Sequence, residues 1–236
     1  MFIVFVNDIC DVVPDGVTVK LFADDIKLYS VIKNTLDRDN LQSCLRVIFE
    51  WSAHWQLNLS PSKCSVLHVP SIRVSSYCSY HFNDVILPNI DSVTDLGVTS
   101  DSKHGYISHI DKIVSKASLR SKLILNCFQS RNPILLAKAF CTFVRPTLEY
   151  CSVVSSPALK KDIYRSEAVQ RRFTKRLTVL RNIPYCDRLA YLNLDSLFNR
   201  RIKSDLLLCF LAAHADVSLH RLAPLREKIM LNCTRL

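Results

Sequence analysis

Two acidic residues, Asp24 and Asp25, stand side by side in VTVKLFADDIKLYS, residues 17–30, between two short apolar stretches. Neighbouring carboxylates repel, and positive charge close by relieves them. Mg2+ suits such a pair, because it takes oxygen ligands in octahedral geometry from a few carboxylates plus substrate phosphates. Two such ions about 3.5–4 Å apart activate an attacking hydroxyl and stabilise the leaving oxygen of a nucleotidyl transfer. Taken alone, Asp-Asp in a turn reads first as a surface turn, where Asp is favoured. A second group is basic. VQRRFTKRL, residues 169–177, carries Arg171, Arg172, Lys175 and Arg176, while Val169, Phe173 and Leu177 can pack inward. One basic face over an apolar one suits a duplex backbone. It is equally the pattern of a solvated helix face.

The elements that must position these groups follow from periodicity. Residues 17–22 alternate as a strand and 26–30 return as its partner, which puts Ala23, Asp24 and Asp25 at a hairpin tip. From Thr35 to His54, Leu41, Leu45, Ile48 and then Trp55 recur at helical spacing, with Leu36 leading in. Ser60-Pro61-Ser62 breaks that pattern. Short strands are expected at 64–69, 79–82 and 85–87, with Asn83-Asp84 as a turn, and at 92–98, ending at Gly97. MFIVFVND, residues 1–8, is apolar in a way that does not separate helix from strand. Beyond residue 103 the character changes. Ile107, Ile110, Val114, Ala117, Ile124 and Phe128 describe a long amphipathic helix. Asn132-Pro133 opens another, since Asn caps well and Pro suits a first turn. Further helices are expected over 161–180 and 194–215. The fold class is therefore α+β, with a mixed portion over 1–103 and an all-helical portion over 104–236.

Composition narrows the classes. The chain has 236 residues, 49% hydrophobic and 22% charged, which is globular and long enough to bury a core in one large or two small domains. Three glycines leave no room for the phosphate-cradling loops of dinucleotide or P-loop folds. The net charge is +10. Residues 103–180 hold 15 Lys plus Arg against 4 Asp plus Glu, so the excess sits in that stretch and points to nucleic acid. Ten cysteines are scattered without a C-x-x-C pair or zinc spacing; most fall in apolar stretches, where Cys acts as a small hydrophobe. The longest apolar run, Leu206 to Ala213, is far short of the about 20 residues that span a bilayer. No secretory signal is visible. These features point to a reducing, intracellular setting, with no membrane partner and no zinc.

FADD between hydrophobic strands resembles the Phe/Tyr-Ala-Asp-Asp box of reverse transcriptases. The wider stretch FVNDICDVVPDGVTVKLFADDIKLY is similar to the matching stretch of LINE-type (non-LTR, jockey-like) retrotransposon polymerases. WSAHWQLNLSPSKCSVLHV resembles that family's next palm motif, and SVTDLGVTSDSKHGYISHI its primer-grip segment leading into the thumb. KAFCTFVRPTLEYCSVVSSP and AVQRRFTKRL resemble its helical region beyond the palm. The five segments occur in the family's order over residues 2 to about 200.

The resemblance implies the C-terminal half of a polymerase palm, followed by a helical thumb and connection region. It implies RNA-directed DNA polymerase activity with Mg2+, dNTPs, an RNA template and a DNA primer. Asp24 would be the metal ligand and Asp25 its less strictly required neighbour. Phe22 and Ala23 would shape the approach of the primer end. Lys63 would sit near the incoming nucleotide's phosphates, or is an ordinary surface lysine. Leu96 and Gly97 would lie at the primer grip, and Arg171, Arg172, Lys175 and Arg176 against template or primer phosphates. Trp51, Trp55 and Asn58 are assigned to packing and turn formation. The family's other aspartate, from an upstream strand, has no counterpart in these residues. Asp8 and Asp11 lie in the wrong segment to replace it. Ser155 stands where the family usually has Trp. The expectation is a truncated remnant that holds Mg2+ weakly or not at all and does not polymerise. A non-catalytic nucleic-acid-binding module is the alternative. Another palm-type nucleotidyltransferase or cyclase would need phosphate-binding glycines that the sequence lacks.

Overall fold

The structure is a computed structural model that describes residues 6–57, 59–69, 79–157 and 159–214, and the backbone of 229–234. The expected turn residue Asn58 lies outside these. Two compact units divide the chain: residues up to Val93 with Asp101–His104 and the segment from Pro224 form one, and Thr94–Ser100 with Gly105–Ala223 the other.

The first unit is a sheet backed by a helix. After a short helix α1 (Ile9–Val12), strands β1 (Val17–Phe22) and β2 (Asp25–Ser30) pair antiparallel, with Val17 opposite Ser30 and Phe22 opposite Asp25. Helix α2 (Thr35–His54) opens on a capping box. Asn34 accepts from the Asp37 amide at 2.9 Å, and Asp37 accepts from the Asn34 amide at 3.1 Å. Its buried stripe, Leu41, Cys44, Leu45, Ile48 and Trp51, packs with Ile26, Leu28 and Val66 of the sheet. Trp51 is the core tryptophan, at 7% exposure. Trp55 caps the helix and is 38% exposed, because a residue beyond the last helical turn no longer follows the apolar stripe. Strand β3 (Cys64–Leu67) follows a 3₁₀ turn over Pro61–Lys63, and β4 (His81–Phe82) and β5 (Val85–Ile86) form a hairpin around Asn83-Asp84. The Gln42 amide ties that hairpin to α2, donating to the His81 carbonyl at 2.7 Å and accepting from its N–H at 2.9 Å. A short β6 (Asn89–Ile90) runs parallel to β3.

The sheet's middle strand comes from a segment for which periodicity gives no warning. Residues 229–234 form β9, which lies antiparallel between β2 and β3, giving the order β1-β2-β9-β3-β6. This corrects the expectation of an all-helical chain beyond residue 103. It also explains why β2 is buried from Ile26 to Ser30: the strand has neighbours on both edges and a helix on one face.

The run over 92–98 also differs from its reading as one strand. It is a tight hairpin, β7 (Ser92–Asp95) and β8 (Val98–Asp101), turning at Leu96-Gly97. Both turn residues take positive φ, +44° and +82°, as type I′ hairpins require. A leucine there gives no sequence signal.

In the second unit, α3 (Ile107–Cys127), α4 (Pro133–Phe143), α5 (Arg145–Glu149), α6 (Lys160–Lys175), α7 (Tyr185–Tyr191) and α8 (Leu197–His214) build a helical core. Asn132 caps α4 as expected, accepting from the Ile134 and Leu135 amides at 2.9 and 3.3 Å. The Phe140 and Phe173 rings meet at 4.6 Å near the middle of this core. Ser155 is buried, and its hydroxyl donates to the Cys151 carbonyl at 3.1 Å. Of the eight cysteines whose side chains are described, only Cys44 and Cys64 are buried; the others are exposed or half-exposed. Burial pushes the Cys44 thiol up to about 11. Among the described residues no helix is long and apolar enough to cross a membrane.

Candidate functional site

The β1–β2 register leaves only Ala23 and Asp24 to connect the strands. Ala23 sits at φ +53°, a conformation that costs an L residue about 1–2 kcal/mol. Asp24 is thus held at the tip and Asp25 at the first position of β2. Both are half-buried, while Phe22 and Ala23 are exposed. The register across β9 then fixes what faces them. Asp25 pairs with Thr234 and Cys64 with Cys233. Lys63, immediately before β3, therefore reaches the same end of the sheet as Asp25, two strand spacings or about 10 Å away. Lys63 itself is exposed. The tip offers two hard oxygen donors, and among the described residues no group of three or more His, Cys, Asp or Glu gathers. This donor set fits a Mg2+ site completed by phosphate oxygens and water.

Leu96 and Gly97 form an exposed turn whose conformation is braced from within its own unit. The Tyr150 hydroxyl donates to the Leu96 carbonyl at 2.8 Å. Behind the turn, buried His109 accepts the Thr99 amide on Nδ1 at 3.4 Å, which places its proton on Nε2. Lys112 donates to the Thr99 hydroxyl at 3.1 Å. Burial first, and the Lys112 charge second, hold His109 below the ordinary imidazole value of 6.5. The unfolded imidazole therefore takes up a proton that the folded one refuses. The stability tied to neutral His109 is fully present above about pH 6.5 and is lost as pH falls below it. Urea midpoints at about pH 7.5 and 5.5 are expected to differ more for the parent than for His109→Asn, whose amide oxygen keeps the acceptor without titrating. Equal differences would remove His109 from the pH response.

The basic segment splits in two. Arg172, Lys175 and Arg176 are exposed and line one cleft between α3 and α6, where Lys122 of α3 joins them. Arg171 turns away and lies over the Tyr185 ring at 5.0 Å. Beneath it is a polar network that local patterns do not announce. Tyr185 donates to Glu167, whose other carboxylate oxygen accepts the Phe198 amide at 3.3 Å. Gln170 donates to the Tyr185 oxygen at 3.2 Å and to the Asp195 carbonyl at 3.0 Å. Burial first, then the hydrogen bond and charge of Glu167, raise the Tyr185 phenol. Lys122, Glu167 and Tyr185 were missed by sequence reasoning. The polar face of α3 marks Lys122 as exposed, but only tertiary packing shows which cations it joins.

Residues 1–117 match the model of the family described as reverse transcriptase (RNA-dependent DNA polymerase). An uncharacterized protein of Caenorhabditis elegans is 30% identical over 115 residues, which cover 48% of this chain and 58% of that protein. The chain thus spans little more than half the length of that relative. No solved structure matches. The hairpin that presents Asp24 and Asp25 lies inside a segment that matches a reverse transcriptase domain.

Proposed function

We propose that this chain carries the metal-binding part of a palm and the following thumb and connection helices of a LINE-type, non-LTR retrotransposon reverse transcriptase. The observation that carries the reading is the two-residue tip. Its register presents Asp24 and Asp25 at the same sheet end as Lys63, within the segment matched to reverse transcriptases. Asp24 is the carboxylate that holds a divalent cation, with Asp25 as its neighbour. Such a cation supplies charge neutralisation and Lewis acidity for nucleotidyl transfer. Lys63 offers a positive charge to the phosphates of a dNTP. The small Ala23 and the exposed Phe22 leave room for and shape the approach of a DNA primer end on an RNA template. The Leu96-Gly97 turn is assigned to the primer grip, where Gly97 allows close backbone approach.

The hairpin supplies only two carboxylates, so residues 1–236 alone are expected to hold Mn2+ loosely, in about the millimolar range, and not to extend a primer. The test is a Mn2+ titration followed by electron paramagnetic resonance. Asp24→Asn is expected to abolish the bound signal and Asp25→Asn to weaken it. Unchanged binding in Asp24→Asn would sink the metal-ligand reading. Primer extension that vanishes in Asp24→Ala would instead establish an active polymerase. Nucleic-acid binding without chemistry is a second reading, favoured by the cluster of cations on α3 and α6.

A further inference from the structure

The apolar run Leu206–Ala213, too short to span a bilayer, forms the C-terminal part of α8. A helix that is apolar on every side is normally buried, yet no residue of α8 beyond Arg201 is. One face of α8 points inward. Leu197 and Arg201 are buried on it, and Ser204, Leu208 and Ala212 follow at helical spacing, half-buried. The opposite face is open. Ile202, Leu206 and Phe210, one turn apart, are 42%, 64% and 57% exposed, with Cys209 and Ala213 beside them and Phe198 and Leu207 at the edges. At about 200 Å2 for a large side chain, this face leaves about 600 Å2 uncovered, more than the few hundred Å2 of a usual monomer patch. The charges around it are already matched. Lys203 pairs with Asp195 at 2.6 Å, Arg200 pairs with Glu149, and Asp205 lies on the inner side near Arg201. A neutral, apolar face offers nothing to phosphates, anionic headgroups or a charged peptide. It is complementary to itself.

We propose that two copies of this chain associate through α8, packed antiparallel about a two-fold axis near the level of Leu208. That axis sets Leu206 of each copy against Phe210 of the other, as a self-complementary interface requires. The small Cys209 and Ala213 let the two helices approach closely, and the axis brings the two Cys209 thiols within disulfide reach. Together the two faces bury about 1,200 Å2, the lower end of a specific interface. The inference draws on neither the hairpin's chemistry nor the basic segment.

The test is sedimentation velocity of the full chain under reducing conditions, over about 1–100 μM. The expected result is a dimer that dissociates on dilution, with a micromolar Kd in keeping with so small an interface. Leu206→Glu combined with Phe210→Glu crowds four carboxylates around the axis and is expected to raise Kd at least about 30-fold. Both residues are exposed, so far-UV ellipticity should not change. Leu119→Glu, at an equally open leucine of α3, is expected to leave the dimer intact. A second measurement reads the orientation. With Cys10, Cys127, Cys151 and Cys186 changed to Ser, mild oxidation should give a covalent dimer that Cys209→Ser abolishes. A covalent dimer that survives Cys209→Ser would overturn the antiparallel placement. A parent that stays monomeric over the whole range, or a double Glu variant that dimerises as well as the parent, would overturn the proposal itself. In a monomeric parent, a urea midpoint lowered by the double Glu variant would mean that another part of the chain covers the face. Co-sedimentation of that parent with vesicles of anionic phospholipid would assign the face to a lipid surface instead.

Discussion

Truncating Glu167 to alanine is expected to destabilise the helical unit by about 3–5 kcal/mol, the range for breaking a buried charged pair from one side. Glu167 is 7% exposed and serves three groups at once. It accepts from Tyr185 and from the Phe198 amide, and its charge offsets that of Arg201, 6% exposed, which burial pulls below the usual guanidinium value. Removal takes the acceptor from the half-buried Tyr185 hydroxyl and from a helix-start amide, and one of the charges that offset Arg201, beside those of Glu149 and Asp205. The carboxylate joins α6 to α7 and α8, so its loss loosens the contact among these three helices. Glu167→Gln keeps an acceptor and loses the charge, so its cost should fall between parent and alanine. Urea unfolding followed by far-UV ellipticity at neutral pH measures both. A loss under about 1 kcal/mol for the alanine variant would mean that water replaces the network at little expense.

Phe140→Ala is expected to cost a similar amount, about 3–5 kcal/mol, by a different route. Phe140 is fully buried, and its ring lies 4.6 Å from that of Phe173, so truncation opens a cavity among α3, α4 and α6 that the surrounding helices fill only partly. Probe choice matters here. Trp51 and Trp55 both belong to the first unit, so their emission follows the sheet-bearing unit, while ellipticity follows mainly the helices. A variant midpoint lowered in ellipticity alone would mark two separate transitions, and a shift in both probes would mark one. A loss under about 1.5 kcal/mol would show that the site collapses well around alanine.

How much the sequence discloses depends on whether a feature is local. The α2 stripe, the Asn132-Pro133 helix start and the hairpin around Asp24 are written in neighbouring residues, so periodicity and capping chemistry reach them. The Leu96-Gly97 turn is local too, but its first residue is a leucine at φ +44°, against the usual Asn or Gly, and the run therefore reads as one strand. Lys63 is placed at the Asp25 end of the sheet only through the register of β9. The division of the basic segment, with Arg171 on Tyr185 and Lys122 joining the other three, depends on which helix packs where. Side-chain networks such as Glu167, Gln170 and Tyr185 join residues far apart in sequence, and no short-range pattern predicts them.

The insertion of β9 between β2 and β3 has a consequence for synthesis. On a translating ribosome the β1–β2 hairpin emerges well before residues 229–234, and its β2 edge stays uncovered until they have been made. Throughout that interval a strand with unpaired backbone groups, carrying Ile26, Leu28 and Tyr29, is open to any extended chain nearby. The helices of the second unit, built from nearer contacts, have no such delay. The chain is therefore expected to lean on holding chaperones while it is made, and its hairpin, the element that bears the two aspartates, is the last to be secured.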